Sequence, residues 1–267
     1  MEITSSNSQF SDSGSVEVYT GSSTHSNGGD IILNTGASLD RIPGAIRLQS
    51  GGGEEIGGNV LIAAGEALNT ASTGGSVVMS AGVSQGHGGE FSLTGGHSLG
   101  SNSESSGGTV EIYGGTALSS KGGNVKLVSG ETVASGSSSG SIDLVSSPSS
   151  MTGSINIISG IAGEDKSGSL NLSTGNAKSA AGDIVLQVGN SYLDNSEGGS
   201  VKIASGDSTG FDSLGGSIHL KSGSSESFTS GGIIIESPDV TSSMTPVPSG
   251  SIAIETGHAN KASGSSE

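Results

Sequence analysis

One short pattern recurs along the chain and limits what it can fold into. GGNVLIAAG starts at Gly57, GGSVVMSAG at Gly74, GGTVEIYGG at Gly107, GGNVKLVSG at Gly122 and GGSVKIASG at Gly198. Each reads glycine, any residue, apolar, any residue, apolar, any residue, small residue, with glycine usually following. Anchored on the glycine two places before the first apolar site, the pattern occurs 16 times between Gly14 and Gly250, and Gly264 would begin a seventeenth unit. The 250 residues from Gly14 to Gly264 span 16 intervals, a mean of 15.6 residues. A fixed period of this kind marks a repeat architecture.

The two apolar columns carry most of the information. The first includes Val16, Ile31, Phe91, Val125 and Ile252; the second includes Val18, Leu33, Leu93, Leu127 and Ile254. All 32 positions are apolar in a chain that is 30% apolar overall. The first column is mostly β-branched, which favours strand over helix. The residue between the columns is mixed, as Glu17, Arg47, Lys126 and Asp143 show. Apolar, variable, apolar is a period of two, with one face directed inward.

Two places past the second apolar site the alternation points inward again, onto small residues such as Thr20, Ser50, Ala64, Gly95, Gly114 and Ser205. The glycine that follows, as at Gly21, Gly65 and Gly130, suits a corner needing positive φ or close backbone approach. Further on lies a second small column containing Ser23, Ser38, Ala67, Ser84, Ser98 and Ser225. It implies a thin cross-section. The remainder of each unit is Ser, Asn, Asp and Gly of variable length, as expected of surface turns.

Composition alone points elsewhere. Gly 49 and Ser 59 of 267 residues predict disorder or a flexible linker. The ordered columns argue instead for an all-β fold, a parallel β-solenoid (β-helix) of about 16–17 coils averaging 15.6 residues. Neighbouring coils would bury apolar pairs that no single unit can bury alone. At ~4.8 Å per coil the rod would be roughly 75 Å long. Residues 1–267 would form one such domain. The Pro-containing stretch Ser237–Ser249, with Pro238, Pro246 and Pro248, and the stretch Ser98–Ser106 read as bulged turns.

Met1 and Ile3 fall in phase with the apolar columns and Ser5 with the small column, while Ser265, Ser266 and Glu267 follow just after an anchor. Neither a terminal helix nor a polar capping coil is evident. The domain is therefore expected to be uncapped at both ends; since open sheet edges pair readily, either the chain is a window of a longer array or its ends stack on other copies, and end-to-end self-association is expected. No secretory signal peptide is visible.

Charge and residue usage exclude several classes. With no Cys, disulfides and Cys-ligated zinc or iron–sulfur sites are impossible. A net charge of −16, from nine Lys and Arg against 25 Asp and Glu, argues against nucleic acid and against adhesion to anionic membranes. No apolar run reaches the roughly 18 residues of a membrane-spanning helix, so no membrane insertion is expected.

No chemistry-bearing constellation stands out, and no cofactor is implied. Asp30 and Asp183 share one repeat position, but Ala45, Asn59, Ser76, Glu90 and Ser141 occupy it elsewhere, so no carboxylate ladder forms. His25, His87, His97, His219 and His258 lack metal-ligand spacing. Glu54 and Glu55, or Glu164 and Asp165 beside Lys166, are adjacent in Gly-rich turns and make no positioned acid/base pair. An enzyme is not expected. Two surface features remain. Val128, Val145 and Ile158 form an outward apolar patch suited to lateral contact, and Leu61 with Val78 makes a similar pair. Ser141, Ser154, Ser169, Ser200 and Ser217 form a flat polar row of the kind an ice-binding or polysaccharide-binding surface could use. Asn171-Leu172-Ser173 is one glycosylation sequon.

Taken with its neighbours, the unit GGNVLIAAGEALNTASTGG resembles the repeats of large Gly/Ser-rich secreted β-solenoid proteins, of the filamentous-haemagglutinin adhesin type or the algal surface-repeat type. The likeness is one of repeat grammar. It implies an extracellular or cell-surface fibre with a structural or adhesive role, a rigid rod or filament segment built by coil stacking. The alternative is a β-solenoid that binds ice or a polysaccharide surface. Freezing-point hysteresis in dilute solution would separate them.

Overall fold

A computed structural model describes residues 2–240 and 248–257. Met1, Pro246, His258, Ala259 and Gly264, and the C-terminal residues Ser265–Glu267, lie outside the described residues. The chain divides into two units, Met1–Ile142 and Asp143–Glu267.

The described residues contain neither helix nor strand. This overturns the all-β, parallel β-solenoid (β-helix) reading of 16–17 stacked coils. The apolar columns are not buried: Val125 is 53% and Leu127 65% exposed, and no large hydrophobic side chain among the described residues is buried. The exposed surface is 27469 Å². A compact protein of this mass would expose about 10,000 Å² and a fully unfolded one about 37,000 Å². The physical reason lies in the composition. Two large side chains per repeat offer little apolar surface, while a Gly- and Ser-rich backbone loses much conformational entropy on ordering.

The alternation does survive locally. First-column residues are shielded most and the residues between the columns least, as in Val77, Val78 and Met79 at 49%, 84% and 61% exposed. Among the described residues these segments belong to no strand, so the alternation is one of exposure alone.

Order is concentrated where eight of the described loops close. In the first unit the N–H of an anchor glycine donates to the carbonyl of the glycine that began the loop: Gly58 to Gly51 at 2.9 Å, Gly75 to Gly65 at 2.8 Å, Gly108 to Gly96 at 2.8 Å and Gly123 to Gly115 at 2.8 Å. Gly89 to Gly82 and Gly140 to Gly130 repeat the bond at 2.9 Å. In the second unit Gly216 donates to Gly206 at 2.9 Å and Gly231 to Gly223 at 3.0 Å. We call this closure the neck.

Side-chain hydroxyls add to this bond at Gly58 and Gly216 and reach the anchor without it at Gly29 and Gly250. The hydroxyl of Thr20 donates to the Gly29 carbonyl at 3.0 Å, Ser50 to Gly58 at 2.7 Å, Ser205 to Gly216 at 3.1 Å and Ser237 to Gly250 at 2.9 Å. All four donors belong to the first small column. So do the described residues that are half-buried: Ser5, Ser50, Gly95, Gly114, Ser129, Ser146, Ser222 and Ser237. The column is small because it sits at the neck, not because it lines the interior of a coil.

The glycine requirement falls on anchors such as Gly108 and Gly123 rather than on the glycine after the small residue. Space around Gly65 and Gly130 is open. A Cβ on Gly123 would stand 2.9 Å from the Gly115 nitrogen, and one on Gly114 would collide with the Gly123 carbonyl oxygen. Among the described glycines only Gly136 has positive φ, at 81°, in the loop closed by Gly130 and Gly140.

The second small column also has a local purpose. Ser23, Ser38 and Ser225 each accept a hydrogen bond from the N–H three residues on, at Ser26 (3.1 Å), Arg41 (3.1 Å) and Phe228 (3.0 Å). Ser84 accepts from Gly86 at 3.0 Å. These are serine turns that open the loop.

Candidate functional site

The loop between Val188 and Gly199, in the second unit, departs from the pattern. Val188 is the one large residue in the otherwise small column, and its Cγ1 would lie 2.6 Å from a Cβ on Gly199. A branched side chain thus fills the place where other repeats close on a serine or alanine. Val188 is correspondingly the most shielded large hydrophobic residue described, at 39% exposed.

The loop holds itself open by its own bonds. The Ser191 hydroxyl donates to the Glu197 carbonyl at 2.8 Å. Both the hydroxyl and the N–H of Ser196 donate to the Leu193 carbonyl, at 2.6 Å and 3.3 Å. Asn195, next to it, adopts a left-handed φ of 59°, a conformation Asn tolerates better than most side chains. The result is a cavity of about 540 Å³ lined by Val188, Asn190, Ser191, Tyr192 and Ser196 together with Gly189, Gly198 and Gly199. Its walls are hydroxyl, amide and backbone groups with one aromatic ring. That chemistry suits a neutral, hydroxyl-rich ligand better than a charged one. Nothing in it forms an acid/base pair or a nucleophile–base pair.

The positions singled out in the sequence lie elsewhere. Val128, in the first unit, is exposed, as are Val145 and Ile158 in the second. Ser141 in the first unit, and Ser154, Ser169, Ser200 and Ser217 in the second, are also exposed. Glu54, Glu55, Glu164, Asp165 and Asn171 are exposed on their loops or segments. His25 bonds through Nδ1 to the Thr24 hydroxyl at 2.8 Å. Among the described residues no three His, Asp or Glu side chains gather into a metal-sized group. No helix among them is long and apolar enough to cross a membrane.

The Val188 cleft was not singled out from the sequence. Its signal was present all the same, as the single bulky residue in a column of small ones. No protein-family model, no curated protein and no solved structure matches this chain.

Proposed function

We propose that this chain is a structural or adhesive repeat protein of the extracellular or cell-surface space. The observation that carries the reading is the recurrent neck, in which one backbone bond between two glycines closes eight of the described loops, each on its own. A chain built this way presents many similar loops, rich in hydroxyls and carboxylates, with no buried core among the described residues to hold them. Weak contacts of one loop with a surface then add through multivalency. The net charge of −16 favours neutral or cationic surfaces over anionic ones.

A second reading, binding to a polysaccharide surface in particular, is favoured by the cleft at Val188–Gly199. Its Tyr192 is 89% exposed and available to stack on a sugar ring. Both readings are tested by retention of the labelled full chain on cellulose-coated, chitosan-coated and bare surfaces under flow. Retention on the coated surfaces that rises steeply with coating density supports the adhesive role. Retention lost in Tyr192→Ala would assign it to the cleft, and passage over every surface would contradict both readings.

A further inference from the structure

We propose that the paired apolar columns form a docking surface for a second copy of this chain, segment against segment. The proposal rests on the structural reading above and names the partner that a fibre-forming role would require. In the first unit alone 17 large side chains, from Val16 to Ile142, belong to the two columns, and all are about half or more exposed. Fully burying such a side chain removes roughly 60–120 Å² of apolar surface. The part still exposed on the 17, about half of each, amounts to roughly 500–1,000 Å². A stable protein–protein interface buries about 800 Å² per partner. The uncovered apolar surface is therefore of the right size for one partner.

Two further observations select a second copy. The anchors are unevenly spaced, by 13 to 19 residues, as from Gly140 to Gly153 and from Gly89 to Gly108. Only a chain with the same uneven spacing can match every apolar pair at once. The column segments also belong to no sheet among the described residues, and outside Ser141 and Asp143 their backbone can pair with another chain. In-register pairing places Val125 beside Val125 and Leu127 beside Leu127, the arrangement in which identical side chains pack between stacked strands. Each copy carries −16, so association must overcome like-charge repulsion and strengthens as salt screens it. A basic partner would show the opposite salt dependence.

Sedimentation of the full chain over a range of protein and salt concentrations, with amide-I infrared spectra of the same samples, tests this. Mass should rise with both concentrations, and strand signal should rise in step with mass. Val125→Asp, which places a charge in the interface, should raise the concentration for half-association about tenfold or more. Asn124→Asp adds the same charge one residue away, outside the columns, and should change it by less than about threefold. A chain that stays monomeric throughout, with or without strand signal, overturns the proposal. So does association that weakens with salt, or equal effects of the two variants. A monomer still retained on coated surfaces would leave the adhesive role standing while removing this interface.

Discussion

The Ser50 hydroxyl donates to the Gly58 carbonyl at 2.7 Å, while the Gly58 N–H donates to the Gly51 carbonyl at 2.9 Å. One glycine thus both gives and receives at the mouth of its loop, and its two partners are consecutive residues. Ser50 is one of the eight half-buried residues among those described. The pair shows how a chain without a core can keep a regular local form.

The two bonds are separable. The repeat at Ala64 has no hydroxyl, yet Gly75 still donates to Gly65 at 2.8 Å. Ser50→Ala should therefore leave the Gly58–Gly51 bond in place and weaken it modestly. A net hydrogen bond contributes about 0.5–1.5 kcal/mol, and an exposed one falls at the low end. The Gly58 amide should exchange with solvent roughly two- to fivefold faster, as read by NMR.

The glycines of one neck are not equivalent. Gly115 has open space around it, whereas a Cβ on Gly123 would lie 2.9 Å from the Gly115 nitrogen. Gly123→Ala should open the loop between them and remove the exchange protection of the residue 123 amide. Gly115→Ala should leave that protection within about twofold. Similar effects of the two substitutions would show that the close approach is absent.

Val188 offers the reverse experiment. Val188→Ser restores the small residue that other repeats carry beside the anchor glycine. It should let Gly199 close on Gly189 as Gly216 closes on Gly206 at 2.9 Å, and the cavity of about 540 Å³ should shrink. The Gly199 amide should gain exchange protection of a few-fold, and contacts between the Tyr192 ring and the chain, seen as nuclear Overhauser effects, should change with it.

Much of the neck was legible in the sequence, and the sheet was not. The column of Thr20, Ser50 and Ser205 and the anchors Gly29, Gly58 and Gly216 were visible as fixed positions. These are the residues that meet, through Thr20 to Gly29, Ser50 to Gly58 and Ser205 to Gly216. What spacing could not supply was the reason, because a small residue at a neck and a small residue inside a coil leave the same trace. The apolar pairs misled more strongly. Val125 and Leu127 alternate with Lys126 as a half-buried strand would, but alternation records which side chains share a face, not whether anything covers it. Val188 went unremarked because one bulky residue looks like noise in a column of sixteen.

Site-resolved amide hydrogen exchange on the dilute, monomeric chain tests the central claim most directly: order resides in the necks and not in a stacked sheet. Protection should be confined to the loop-closing glycines, such as Gly58, Gly75, Gly108, Gly123 and Gly216, and to the serine turns, with Val125, Leu127 and their counterparts exchanging at unprotected rates. Strong protection running through both apolar columns of a monomer would contradict it.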